Sequence, residues 1–291
     1  MAVWNLGSIN VDNVYRVPYL PAPGETLGAN DFSQGLGGKG ANMSVAIARA
    51  AARVAHIGAV GVDGKWTVER LMEYGVDTRW IEVLKDTATG HANIAVADDG
   101  ENQIVLFSGS NKAITDEMIG GALAEASPGD TFLTQNETNG QRVAAEMAKR
   151  LGLKVVYAAA PFDSIAVQQV LDFVDLLVLN EVEAEQLEEN LDKPLAALGV
   201  DDIVVTLGAK GCRWLNAAGQ ETHVPAVSVT PVDTTGAGDT FTGYLVAGLD
   251  RGMPMRQALR LATQAGALMV TRLGTADVIP DLKEIEDAKL G

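Results

Sequence analysis

The run Val232-Asp233-Thr234-Thr235-Gly236-Ala237-Gly238-Asp239-Thr240-Phe241 sets a carboxylate directly behind a glycine-rich turn. Residues 242 to 249 are small or apolar and free of proline, so the pattern predicts a helix over about Gly238 to Leu249 with the glycines at its first turn. The unpaired N–H groups of such a helix start form an anion site. Phosphoryl transfer needs that site and a neighbouring acid: fixed dipoles hold charge on the moving phosphoryl group, and a carboxylate orients or deprotonates the attacking hydroxyl. Taken alone, the pattern also reads as an ordinary loop-to-helix turn with an acid near the positive helix end.

A second glycine cluster, Gly35-Leu36-Gly37-Gly38-Lys39-Gly40-Ala41-Asn42, fits G-x-G-x-x-G at Gly35, Gly37 and Gly40. A dinucleotide fingerprint requires a strand directly before it and an acid about 20 residues on, at the end of the next strand. Asp31-Phe32-Ser33-Gln34 reads poorly as that strand, and the strand from about Arg53 to Val60 ends in Gly61 with Asp63 beyond it, so the dinucleotide reading is set aside. No G-x-x-x-x-G-K-[ST] occurs, since Lys39 precedes Gly40 and Lys65 precedes Trp66. His56, His91 and His223 lie in unlike segments and support neither a histidine metal site nor a Ser-His-Asp triad.

These residues need a scaffold. Apolar β-type runs alternate with helical patterns: Val3 to Ile9, a helix from Asn42 to Ala51, Arg53 to Val60, a helix around Lys65 to Tyr74. The alternation resumes with Thr131 to Gln135, a helix over Gln141 to Leu151, Lys154 to Ala158, a helix near Ser164 to Phe173, Leu176 to Leu179, and a helix from Glu181. A last helix spans about Pro254 to Arg272. Continuous apolar strands imply an α/β fold with a mostly parallel sheet covered on both faces. Two segments break the pattern. Gly90 to Phe107 reads as two strands joined by Asp98-Asp99-Gly100-Glu101, and Val11 to Phe32 carries Pro18, Pro21 and Pro23 without helical period. Together they predict a small projecting sheet, over about 11–32 and 88–108, acting as a lid or a dimer surface. With no linker or repeat, one domain over 1–291 is expected.

Composition bounds the function. The chain has 291 residues, 47% hydrophobic, ample for a core. Its net charge of −16, with no Lys/Arg cluster, argues against nucleic-acid binding. The apolar runs are too short for a bilayer span, the start carries no basic-then-apolar leader, and the lone Cys212 suits a reducing compartment, so a cytoplasmic protein is expected.

Both glycine clusters resemble the two signatures of the ribokinase-like family of carbohydrate kinases, the pfkB family. The similarity extends to Gly7-Ser8-Ile9-Asn10-Val11-Asp12, Pro23-Gly24-Glu25-Thr26, Asn180-Glu181-Val182-Glu183, Thr206-Leu207-Gly208-Ala209-Lys210-Gly211 and Val270-Thr271-Arg272-Leu273-Gly274. The resemblance implies Asp239 as catalytic base and Gly236, Ala237 and Gly238 as the anion hole. It implies a sugar site of Asn10, Asp12, Gly38, Lys39, Asn42 and Glu137, with Ala92 and Ile104 closing over it. Amides and carboxylates suit a polyol, because discrimination comes from leaving no buried polar group unpaired. It also implies ATP on Asn180, Thr206, Leu207, Gly208, Ala209, Lys210, Gly211, Gly238 and Thr263, with Asn180 and Glu183 organising Mg2+ partly through water. A monovalent-cation loop, for K+, would use Asp233, Thr235, Met269, Arg272 and Gly274, but the family's serine ligand position is Val278 here.

Single residues carry plainer readings beside these: Asp12 and Glu137 as caps or surface acids, Lys39 as a loop lysine, and Asn180 as a helix cap with acids in the first turn. The segments Thr89-Gly90-His91-Ala92, Gly100-Glu101-Asn102-Gln103-Ile104 and Ser108-Gly109-Ser110-Asn111 resemble the ribose-phosphorylating branch of the family. Departures are Ala158-Ala159-Ala160-Pro161 after the middle strand and Thr263 where a histidine is common. The expectation is an ATP-dependent kinase acting on a primary hydroxyl, with ribose as acceptor. The alternatives are a nucleoside or fructose-type kinase on the same fold, or a non-catalytic sugar-binding regulator.

Overall fold

The computed structural model describes residues 1–288. Its elements run β1 (Val3–Leu6), β2 (Asn10–Val17), β3 (Asp31–Gly37), α1 (Lys39–Arg49), β4 (Val54–Gly61), α2 (Lys65–Glu73), β5 (Ile81–Leu84), β6 (Gly90–Ala97), β7 (Asn102–Phe107), α3 (Asp116–Leu123), β8 (Thr131–Thr134), α4 (Gln141–Arg150) and β9 (Lys154–Ala158). The chain continues with α5 (Ser164–Val170), β10 (Leu176–Asn180), α6 (Glu181–Leu191), β11 (Asp202–Thr206), β12 (Cys212–Asn216), β13 (Glu221–Val224), α7 (Ala237–Asp250), α8 (Met255–Met269) and α9 (Leu282–Asp287).

The nine-stranded sheet has the order β13-β12-β11-β10-β9-β8-β1-β4-β5. From β5 to β11 every pairing is parallel, and only the β11-β12-β13 edge is antiparallel. Two cores explain the unbroken apolar strands. Val3 faces one, built with Val45, Tyr244 and Leu259 of α1, α7 and α8, while its neighbour Trp4 faces the other, with Ala144, Val167 and Leu187 of α4, α5 and α6. Strand side chains alternate, so a sheet covered on both faces asks for apolar residues at every position.

The expected small sheet is present, ordered β3-β2-β6-β7, with β2-β6 parallel and the β6-β7 hairpin antiparallel. Four expectations are corrected. β1 stops at Leu6, because the chain turns at Gly7 and Asn10 already belongs to the second sheet. The first helix starts at Lys39 rather than Asn42, entered through Gly38 at φ 93°, a conformation that favours glycine. The last long helix ends at Met269, where Thr271 folds its hydroxyl back on the Leu268 carbonyl. Asp31–Gly37 is also a strand, contrary to the reading of residues 31–34. It pairs antiparallel with β2 in the small sheet, so the G-x-G-x-x-G still lacks a parallel βαβ unit. The sequence reading overlooked β5, α3, β11, β13 and α9, all short.

Candidate active site

The glycine-rich run forms the start of α7 as expected. Gly236 caps it at φ 74°, and Ala237 N–H turns back to the Thr234 carbonyl at 3.3 Å. The amides of Gly238 and Asp239 meet no protein acceptor among the described residues. Nothing lies within 4 Å of a Cβ built on Gly238, so the helix start is open on that side. This is the geometry of an anion hole.

Asp239 sits in the first turn of α7, 7% exposed, with Oδ2 accepting from Asn42 Nδ2 at 2.9 Å. The contact spans 197 residues and depends on how closely α1 and α7 approach. Gly243 permits that approach: a Cβ there would lie 2.5 Å from Ala46 Cβ and 2.8 Å from the Met43 carbonyl. Burial raises the Asp239 pKa, while the Lys39 ammonium and the Asn42 hydrogen bond draw it back down. Lys39 in turn is held above its ordinary range by Asp239, with Glu137 and Glu183 adding to the effect. A buried carboxylate facing a lysine is where a proton can be taken and lodged.

The acceptor-side residues form one hydrogen-bonded group. Glu137 Oε2 accepts from Ser8 Oγ at 2.5 Å and from the Lys39 N–H at 3.0 Å, and Ser8 Oγ accepts from the Gly40 N–H at 3.2 Å. Glu137 therefore ties the start of α1 to the turn after β1 and is not a free surface acid. Asp12 lies over Gly37, where a Cβ would fall 2.1 Å from Asp12 Oδ2, so that glycine is required. Burial, with the Glu137 charge nearby, pushes the Asp12 carboxyl up to about 7. Ala92, opposite Asp12 in the β2-β6 register, is buried, whereas Ile104 stands on the outer strand β7, 52% exposed.

Beneath this group runs a buried polar network. Asn5 Nδ2 reaches the Gly40 carbonyl and Ser44 Oγ, both at 2.8 Å, and Asn5 Oδ1 accepts from Gln135 Nε2. His56 bridges Ser44 Oγ and the Gly7 carbonyl, and burial drives its pKa down to about 4. A carbonyl only accepts, so Nε2 carries the proton and neutral His56 is structural, as its isolation in the sequence suggested.

Two adjoining cavities complete the site. One, of about 230 Å³, is lined by Lys39, Asn180, Glu183, Thr206, Gly236, Gly238 and Asp239. The second, of about 350 Å³, is lined by Thr206, Gly208, Ala209, Gly211, Gly238 and Thr263 with apolar walls from Val227, Val229, Pro231, Phe241 and Val270. They share Thr206, Thr234 and Gly238. Lys210 stands exposed instead and pairs with Glu181 at 3.4 Å, and Leu207 lines neither cavity. Sequence reasoning gave no role to the apolar walls, of which Val227, Val229 and Pro231 lie outside every motif and Phe241 and Val270 only border one, nor to Ser8 or Asn111.

Asn180 and Glu183 cap each other reciprocally: Glu183 N–H donates to Asn180 Oδ1 at 2.8 Å and Asn180 N–H to Glu183 Oε2 at 2.7 Å. The helix-cap reading is therefore right, and the same two residues also line the 230 Å³ cavity. Burial raises the Glu183 pKa. No group of three or more His, Cys, Asp or Glu residues able to hold a metal occurs among the described residues. The donor set fits a hydrated Mg2+ whose main ligands are nucleotide phosphates, and does not fit a closed protein cage. In the proposed cation loop, Asp233 accepts from the Thr235 N–H at 2.9 Å and the Gly274 N–H at 3.3 Å, so one carboxylate draws both segments together. Met269 and Arg272 face each other across the end of α8, the Arg272 N–H on the Met269 carbonyl. Val278 has its carbonyl taken by Arg272 Nη1 at 3.1 Å.

Residues 3–282 match the model of the pfkB family of carbohydrate kinases. The chain belongs to that family. A ribokinase of Haemophilus influenzae is 37% identical over 96% of this chain and 95% of its own. Among solved structures, a ribokinase of Thermotoga maritima superposes with a TM-score of 0.88 at 31% identity, covering 99% of this chain and 98% of that one. A ribokinase of Arabidopsis thaliana, complexed with ribose and ATP, superposes at 0.85 with 28% identity, covering 98% and 97%. This family membership accounts for the sheet, the glycine-capped α7 and the acid behind it together, and it supports the kinase fold over a dinucleotide-binding one.

Proposed function

We propose that this chain is an ATP-dependent, Mg2+-requiring kinase that transfers the γ-phosphoryl group to the primary hydroxyl of ribose, giving ribose 5-phosphate. The observation that carries this is the placement of buried Asp239 between unpaired N–H groups and the Asn42, Lys39 and Glu137 group, at the wall of the nucleotide-sized cavities. Asp239 takes the proton of the hydroxyl as its oxygen forms the bond to phosphorus. The bond from phosphorus to the bridging oxygen of ADP breaks, and the Gly238 and Asp239 amides hold charge on the moving group. Asn10, Asp12, Gly38, Lys39, Asn42 and Glu137 bind the sugar. Asn180 and Glu183 would hold Mg2+ partly through water, and the ion would supply charge neutralisation at the phosphates. The loop of Asp233, Thr235, Met269, Arg272 and Gly274 would hold K+, whose charge would help to orient the anion hole.

The whole chain acts as one kinase domain, with the small sheet as lid. Its outer strand β7 exposes Ile104, Val105, Leu106 and Phe107, an apolar edge suited to a second copy of the chain. No helix among the described residues is long and apolar enough to cross a membrane; a cytoplasmic location is part of the proposed reading. Asp239→Asn tests the reaction. It keeps size and hydrogen-bonding reach but removes the base, so turnover should fall by roughly 10²-fold or more with nucleotide affinity little changed. Turnover within a few-fold of wild type would take Asp239 out of the mechanism.

A further inference from the structure

We propose that Asn111 fixes the hydrogen-bonding polarity of Asn10, so that Asn10 presents its NH2 group, as a donor, to one oxygen of the acceptor sugar. This rests on the reading of Asn10 as a sugar contact, and makes Asn111 a positioning residue. Ile9 N–H donates to Asn111 Oδ1 at 2.9 Å. A main-chain N–H can only donate, so the carbonyl end of the Asn111 amide is assigned without ambiguity. Its Nδ2 then donates to the Ile9 carbonyl at 3.2 Å and to Asn10 Oδ1 at 2.7 Å. Asn10 must turn its oxygen inward to accept, and its Nδ2 faces away with no acceptor among the described residues, although Asn10 is only 7% exposed. Gly90, the first residue of β6, makes room for this bond. A Cβ there would lie 2.1 Å from Asn111 Nδ2 and 2.5 Å from Asn10 Oδ1. Strand alternation puts Asn10 and Asp12 on one face of β2, so that face offers a donor and then an acceptor to a polyol. Adjacent hydroxyls, each donor and acceptor, are read by such a pair.

Asn111→Asp tests this. The near-isosteric carboxylate still accepts from Ile9 N–H, but it replaces the Nδ2 donor with an acceptor, so Asn10 reverses and aims its oxygen at the sugar. The KM for ribose should rise about tenfold or more while kcat stays within about threefold, since the hydroxyl must turn its single proton to the reversed Asn10 oxygen and leave the acceptor it served unpaired. Across singly deoxygenated riboses, the penalty should vanish for the one analogue that lacks the oxygen facing Asn10 and persist for the others. Gly90→Ala, which intrudes on the same bond from the lid strand, should give the same KM-selective pattern and serves if the aspartate variant folds poorly. An unchanged KM, or an equal loss with every analogue, overturns the proposal. A wild type inert toward ribose and all its analogues overturns the functional reading itself, and the proposal with it.

Discussion

Asp12 shows at the level of one residue how a site is built against stability. Its carboxyl is pushed from 3.8 up to about 7 by burial and by the Glu137 charge. A raised carboxyl pKa means that the folded protein binds the extra proton: the folded state is unpenalised below the unfolded value and loses stability as pH rises through about 7. Asp12→Asn should therefore match wild type in unfolding free energy near pH 4 and exceed it at pH 8 by roughly 1–3 kcal/mol, discounted from the full shift because solvent reaches part of the carboxylate. Urea titrations at the two pH values check this, and an equal difference at both would show that Asp12 carries no burial penalty. The same variant should lose ribose affinity, because an amide cannot accept at both atoms. Such residues were legible in the sequence only as motif members. Asp239 and Gly236 stood out because a helix start and an acid have a chemical meaning together. Ser8 and Asn111 did not, since their roles lie in hydrogen bonds to Glu137 and Asn10, 129 and 101 residues away.

At the scale of elements, the site depends on α1 and α7 lying close enough for Asn42 to reach Asp239. Gly243→Ala would put a methyl 2.5 Å from Ala46 Cβ, against a helix rather than a flexible side-chain end. The overpacking should cost about 1–3 kcal/mol, and kcat should fall more than KM changes, as the Asn42–Asp239 bond lengthens. Wild-type stability together with wild-type kcat would mean that the helices can move apart freely. The cation loop makes a second element-scale prediction. Val278 offers no side-chain oxygen and its carbonyl is already bound by Arg272. Val278→Ser should lower the potassium concentration for half-activation, whereas equal activity of both proteins in potassium-free, sodium-free buffer would remove the cation site. Helices and strands with strong periodic patterns were readable within a few residues, as for α4 and β9. The strand β3 was not, because four of its seven residues are glycine, serine or glutamine. Its identity comes from pairing with β2, which local sequence does not carry.

For the whole molecule, the two sheets meet where Gly7, Gly37 and Gly90 let backbone and side chains cross closely, and the small sheet stands over the acceptor group. If that sheet closes on the sugar, amide hydrogen exchange over 11–32 and 90–107 should slow at saturating ribose, and unchanged exchange would favour a fixed dimer surface. Beneath the small sheet, the cleft is proposed to phosphorylate the primary hydroxyl of ribose. The most direct test is a coupled assay of purified protein with ATP, Mg2+ and K+ across ribose, 2-deoxyribose, fructose and nucleosides, with the phosphorylated carbon read by 31P–1H NMR. The highest kcat/KM is expected for ribose, with phosphate on carbon 5. A higher kcat/KM for a nucleoside or for fructose, or phosphate on carbon 1 of ribose, would contradict it.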